Sequence, residues 1–487
     1  MKSINFNKIS LVLLVVFLSS CSGFLDKKPL GQLTSDNFFE TEEQAVWATN
    51  AIYNQLRDWD VSVFSTIGLT DIISDDADKG STPTDASFLS ELDNFTFDAE
   101  NIAFGGVWRG HFRGIYRANI VIDRIPEIEM DEGLKARLLG EARFLRAFFY
   151  FRLVRWFGDL PLIDHILKND EYEQARVDKS EIYSFIIDDL NYARENLPAK
   201  YDSKNTGRIT SGAATGLLAK VYLTIKDYQN AEKYAMEVIN SGQYALYPSY
   251  QKLFMIEGEN CEESIFEIQA SAFETGGGGT QYNEVQGVRG TPNLGWGFNR
   301  PSDDLVKAYE PGDPRRDATI LYPGEILPDG SAVVEDNPNI LNERYNQKAW
   351  VPAHSGGNGN GPGNIRVLRY ADILLIAAEA LNENDNPTEA LKYLNMVRAR
   401  ARGNNNFILK DISETDKFKL REIIYHERRV ELAMEQHRWF DLIREGNVAD
   451  IMTALDKVFI IGKHELMPIP QSEIDLSGGT MTQNPGY

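Results

Sequence analysis

The stretch Arg289-Gly-Thr-Pro-Asn-Leu-Gly-Trp-Gly-Phe-Asn299 holds the residue types that bind a sugar. An aromatic ring covers the C–H face of a pyranose, and planar polar groups such as Asn, Asp and Arg take its hydroxyls. Trp296 stands between Gly295 and Gly297, where little else would cover the indole. Arg289, Phe298 and Asn299 are close to it, and Tyr282 lies upstream. The competing reading makes Trp296 the anchor of a small satellite core beneath the loop. A second candidate group, Asp75, Asp76 and Lys79, reads either as ligand-contacting or as a solvated turn. Asp75 and Asp76 offer oxygens for calcium, but their spacing is not that of a recognised calcium loop, so no metal is assigned. Trp350 is the next aromatic candidate in the same part of the chain.

Catalytic chemistry has no comparable signature. There is no HExxH, no GxSxG and no phosphate-cradling Gly-Lys-Ser/Thr loop, and the six histidines are scattered. No catalytic residue and no cofactor follows. Acidic residues are plentiful, so a carboxylate pair for glycoside hydrolysis stays open as an alternative.

The N-terminus carries a different chemistry. Lys2 and Lys8 precede an apolar run from Ile9 to Leu18, too short to span a bilayer. Leu18-Ser-Ser-Cys21 then reads as a lipobox, with residues 1–20 as the signal peptide. The thiol of Cys21 accepts a diacylglyceryl group. Several acyl chains, at about 0.8 kcal/mol per buried CH₂, anchor stably where one does not. Cys261 is then left without a partner, which excludes an intramolecular disulfide and a cysteine zinc site. The net charge of −22 becomes more negative still without the two leader lysines, which argues against nucleic acid or anionic lipid as the main partner.

These residues must be positioned by helices. Apolar periodicity marks helices over 42–57, 104–125, 132–157, 179–196, 210–225, 230–240, 369–382, 387–402 and 417–446, with 71–94 read as a loop region. The 132–157 segment is apolar nearly all round and punctuated by Arg143, Arg146, Arg152 and Arg155, as expected of a central core helix whose arginines meet acids or carbonyls. Trp108 and Tyr116 read as core. Glu427, Arg428, Glu431, Arg438, Asp441 and Arg444 are spaced for ion pairs along one long helix. Residues 244–365 are rich in Gly, Pro and Asn, with short apolar pieces such as 264–269 that suit strands. Two helical hairpins match when offset by 159 residues: Ala219, Tyr222, Ala231, Ala235 and Val238 fall on Ala378, Leu381, Ala390, Leu394 and Val397. These are the small and large positions of a tetratricopeptide repeat of about 34 residues. The expected fold is therefore mainly α, with tetratricopeptide-like hairpins and a large loop-rich insertion containing short strands.

Several segments together resemble the SusD/RagB family of outer-membrane nutrient-binding lipoproteins of Bacteroidetes. They are Cys21-Ser-Gly-Phe-Leu-Asp26, Glu141-Ala-Arg-Phe-Leu-Arg-Ala-Phe-Phe-Tyr150 running into Leu153-Val-Arg-Trp-Phe-Gly-Asp-Leu-Pro-Leu162, Arg369-Tyr-Ala-Asp372, Glu427-Arg-Arg-Val-Glu-Leu432 and Gln483-Asn-Pro-Gly-Tyr487. The resemblance implies a single domain over 21–487, with a helical body at about 21–243 and 366–487 and a ligand-binding region at about 244–365. It also implies a partner, a TonB-dependent SusC-like outer-membrane transporter, and an oligosaccharide (for some members a peptide) as cargo. The expected protein is a non-enzymatic glycan binder, lipid-anchored in the outer membrane and facing the cell exterior. The alternatives are a lipid-anchored glycoside hydrolase and a tetratricopeptide-type envelope scaffold.

Overall fold

The computed structural model describes residues 38–272, 277–335, 337, 339–340, 342–354 and 359–487. The leader and Cys21 lie outside the described residues, as do parts of both glycine runs. The chain is mainly helical, with three small two-stranded antiparallel sheets among the described residues.

Helix α1 (Glu42–Leu56) opens on a reciprocal cap in which the Gln44 N–H donates to Thr41 Oγ1 and the Thr41 N–H to Gln44 Oε1. Helix α2 (Ile102–Arg124) is capped by Asn101, and α3 (Glu132–Phe157) runs from the Asp131 cap to Gly158, whose φ of +71° ends it. The α3 arginines find the acids and carbonyls that burial demands. Arg146 forks onto Asp189 of α4 (Lys179–Asn196) at 2.7 and 2.9 Å, and Arg143 reaches the same carboxylate at 3.2 Å. Arg152 donates to the Val61 carbonyl at 2.7 Å, and Arg155 to that of Phe151 at 3.0 Å.

The two matched segments form equivalent hairpins, α5 (Ser211–Thr224) with α6 (Tyr228–Asn240) and α7 (Tyr370–Glu383) with α8 (Pro387–Arg402). The offset holds down to the backbone. Lys226 and Asp385 both sit at φ +60°, the Asp227 N–H donates to the Tyr222 carbonyl at 2.9 Å, and the Asn386 N–H to that of Leu381 at 2.8 Å. Ala219, Ala231, Ala235, Ala378 and Ala390 are fully buried, so the paired helices approach closely. The pairs are distant in sequence yet adjacent in space: α3, α4, α5, α6, α7 and α8 pack each on the next.

The connection between the hairpins is stitched to the helical body by two ribbons. Strand β1 (Ala77–Gly80) pairs with β3 (Phe298–Pro301), and β2 (Ser264–Ile268) pairs with β6 (Ile365–Arg369). A third ribbon, β4 (Ile320–Leu321) with β5 (Tyr345–Asn346), lies within the connection.

Three expectations are corrected. Residues 71–94 are not a loop: they hold β1, the end of a buried helical turn over Gly68–Ile72, and a helix at Ser87–Asn94. The 417–446 helix is two, α9 (Lys417–Leu432) and α10 (Arg438–Glu445), separated by Met434 and Gln436 at φ +62° and +67°. Neither Gly nor Pro marks that break; Gln436 N–H pays for its geometry by donating to buried Asp71 at 3.0 Å. Tyr116 lies on the outer face of α2 and is exposed, whereas Trp108 is core.

The break also organises a buried ion network. Arg315 pairs with Asp313, Glu427 and Glu431; Arg369 with Glu263, Glu431 and Glu435; Arg428 with Asp372 and Asp441. It ties α9 to the loop-rich connection through Arg315, Glu263 and Lys348, the last bound to Glu435 at 2.7 Å.

Candidate functional site

The Trp296 loop is held by its own backbone. The Trp296 N–H donates to the Glu284 carbonyl at 2.8 Å, Gly297 N–H to Gly287 at 3.0 Å and Leu294 N–H to Val288 at 2.8 Å. The flanking glycines serve this closure. A Cβ on Gly295 would stand 2.2 Å from the Glu284 carbonyl oxygen, and Gly297 takes φ +72°. Its carbonyl then accepts from Ser81 N–H and Asn342 Nδ2, both at 2.7 Å.

Trp296 is half-buried. Its ring centroid is 5.9 Å from that of Trp59 at an interplanar angle of 55°, and 6.2 Å edge-on from Phe64. Trp59 is likewise half-buried and lies 5.0 Å from Phe64, so the two indoles form one partly exposed aromatic platform on a phenylalanine base. Trp59 comes from a short helix, Trp59–Ser62, capped by Asp58. Asp58 pairs with Arg113 of α2 at 3.3 Å. Burial and the neighbouring Asp58 raise the Asp60 carboxyl above its ordinary range, against the pull of Arg109 and Arg113. On the other side of Trp296 is a cleft of about 250 Å³ lined by Glu284, Asn293, Trp296, Pro352, His354 and Gly361. Larger open hollows, of about 770, 630 and 340 Å³, lie against β2, α1 and the α4–α6 helices but contain no tryptophan. Stacking on a flat apolar ring, with carboxylates and amides beside it, is what the Trp59–Trp296 surface offers.

The remaining sequence candidates are placed elsewhere. Phe298 is buried against Phe64 at 4.8 Å. Asn299 is fully buried and donates to Asp71 at 3.1 Å and Gln286 at 2.7 Å, so it is core, not a sugar contact. Tyr282 is buried beside the same group, and Trp350 fills a satellite core with Val288, Leu327 and Tyr345. Asp75 is neither exposed nor free: Arg438 forks onto it at 2.8 and 2.8 Å, while Asp76 pairs with Arg429 at 2.7 Å. Both carboxylates are thereby taken, and the solvated-turn and calcium readings fall with them. Lys79 is buried and donates to the carbonyls of Thr82 and Asp85 at 2.7 and 2.8 Å, while Arg289 pairs with Asp85. These two cations clamp one loop. Of the sequence candidates, only Trp296 and partly exposed Arg289 retain a solvent-facing surface of note.

Sequence reasoning missed Trp59, Glu284, Asn293 and His354. The usable signal for Trp59 was a tryptophan just past the last apolar position of α1, flanked by Asp58 and Asp60. The others are joined to Trp296 by loop closure that no periodicity reports.

Comparison with known proteins gives a consistent result. A family model described as the SusD family matches residues 262–487, and one described as "Starch-binding associating with outer membrane" matches residues 23–223. SusD-like protein P2 of Formosa agariphila is 31% identical over 513 aligned residues, covering 99% of each chain. A solved laminarin-binding SusD-like protein has 29% identity and a TM-score of 0.79, covering 92% of this chain and 100% of its own. Surface glycan-binding protein A from Bacteroides thetaiotaomicron, solved with laminarihexaose, has 26% identity and a TM-score of 0.76, covering 91% of this chain and 99% of its own.

Proposed function

This chain belongs to the SusD family, and on that premise we propose that it captures an oligosaccharide on the Trp59–Trp296 platform and delivers it to a TonB-dependent, SusC-like transporter. The single observation that carries the binding step is the pair of half-buried indoles at 5.9 Å, with Asp58 and Asp60 flanking Trp59 in the chain and Glu284 and Asn293 lining the cleft beside Trp296. Two such faces receive the C–H surfaces of a sugar chain, and the flanking groups sort its hydroxyls. The relatives named for laminarin and laminarihexaose direct the first choice of probe to a β-glucan oligosaccharide; the starch-binding family description makes a malto-oligosaccharide the second.

The chain works as a binder without turnover, anchored to the outer membrane through acylated Cys21 and facing outward. The lipobox supports the anchor, and among the described residues no helix is long and apolar enough to cross a membrane. Cys21→Ala is expected to abolish incorporation of an alkyne fatty acid, and protease shaving of intact cells reads the orientation. Calorimetry with laminarihexaose and maltohexaose, run beside a reducing-end assay for hydrolysis, tests the binding. Saturable binding with intact ligand supports the reading. Hydrolysis would establish the enzyme alternative, and tight protein partners without saccharide affinity the scaffold.

A further inference from the structure

A small cavity between packed elements is lined by four cations, two of which lack a carboxylate partner. It has a volume of about 30 Å³ and lies where α3, α5, the β2–β6 ribbon and the α9–α10 break converge. Arg152, Arg155, Lys220 and Arg366 line it, with Glu435 as the one carboxylate on its wall. Glu435 is already held by Arg369 and Lys348. Lys220 is matched by Asp372 at 2.8 Å and donates to His437 Nδ1 at 2.6 Å. Burial beside Lys220 holds His437 neutral, with its pKa pushed down to about 3. Arg366 has Glu259 and Glu267 at 3.7 and 3.8 Å.

That leaves Arg152 and Arg155. Among the described residues neither has a carboxylate within 4.0 Å, whereas the buried arginines 146, 315, 369, 398, 400, 428, 438 and 444 all do. Arg152, 5% exposed, bonds only to neutral oxygens, the Val61 carbonyl and Gln436 Oε1 at 2.6 Å. Arg155 bonds to the Phe151 carbonyl and is sandwiched between the rings of Phe151 and Phe440, at 4.0 and 3.6 Å. Burial pushes both guanidinium groups down, to about 10 and about 9, yet an arginine does not shed its proton in a protein. Arg152 is buried without a carboxylate partner and Arg155 is partly buried beside it, with Asp372 and Asp441 acting on Arg155 only from beyond ion-pair distance, so unmatched positive charge at the cavity is unfavourable. A water molecule needs roughly 10–15 Å³ of such space, so the cavity has room for one ion. The rest of the wall is largely apolar, five phenylalanines with Leu217, Val367 and Leu368, beside the neutral Gln436 and His437.

We propose that this cavity is a binding site for one small monovalent anion, chloride in size and charge, which serves as the counter-ion of Arg152 and Arg155. The ion supplies negative charge where the cations of α3, α5 and the β2–β6 ribbon meet. It is remote in kind from the aromatic platform and independent of any saccharide.

The test uses the full chain and simple salts. Crystals grown in bromide are expected to show an anomalous peak in this cavity. At constant ionic strength, exchanging gluconate for chloride from about 1 mM to about 500 mM should raise the thermal midpoint saturably by roughly 3 °C, since a ligand of the folded state stabilises it by mass action. Gluconate is too large to enter. Arg155→Met should lose that chloride response. If the variant does not fold, the bromide map of the wild-type chain decides alone. An empty cavity at about 0.5 M bromide, well above the concentration at which such a site saturates, overturns the proposal. So does an unchanged chloride response in folded Arg155→Met.

Discussion

Replacing Trp296 by alanine separates a binding platform from a core anchor. The indole is half-buried against Trp59 and Phe64, so its removal costs stability but not the whole of a core tryptophan. A fully buried Trp→Ala change costs about 3–5 kcal/mol; for a half-exposed ring on a loop closed by backbone bonds, about 2 kcal/mol is expected. Its aromatic contacts, Trp59 and Phe64, lie outside the α3–α8 array, so circular dichroism should be unchanged. Loss of an aromatic anchor from a binding surface costs on the order of 2 kcal/mol, about a 30-fold weakening of Kd. Calorimetry with the bound hexasaccharide reads this directly. Trp59→Ala should weaken binding comparably, and the double variant should fall short of the sum by about 0.5–1.5 kcal/mol because the two rings touch. A folded Trp296→Ala protein that binds within twofold of wild type would refute the platform. An unfolded one would show that the ring is chiefly core.

Other substitutions test the frame. Ala231→Trp and Ala390→Trp occupy equivalent buried positions, and each should destabilise by about 1–3 kcal/mol through overpacking in urea titrations; an unaffected midpoint in either would break the equivalence of the hairpins. Arg315→Met leaves Asp313, Glu427 and Glu431 buried without their shared cation, and should cost about 3–5 kcal/mol; a neutral result would mean the network is dispensable. Burial raises the Asp71 carboxyl to about 7, above its unfolded value, despite bonds from Asn299 and Gln436. The folded state therefore holds this proton more tightly, and the associated stability is present at pH 4 and lost as pH rises through 7. Against Asp71→Asn, wild type should lose up to about 4 kcal/mol across that interval; parallel pH profiles for the two proteins would contradict it.

The sequence alone was enough for most of the long helices and for the family resemblance. Helix signals are local: the Thr41 and Asp131 caps, the Gly158 stop and the small residues at Ala231 and Ala390 act within a few residues or at a fixed period. The same locality explains what was misread. Asp75 and Asp76 look like a solvated turn until Arg438 and Arg429, more than 350 residues on, are brought against them. Asn299 and Phe298 share a loop with Trp296, but β3 pairing with β1 turns them into the core and leaves the indole at the surface. The 433–437 break has no Gly or Pro to announce it; a long-range bond from the Gln436 backbone to Asp71 holds it. Trp59 joins Trp296 only because loop closure at Glu284 sets the two rings 5.9 Å apart. Periodicity and caps report energies set within one element, so the sequence determined most of the long helices. Which polar and aromatic groups meet depends on contacts hundreds of residues apart, and those only the tertiary structure decided.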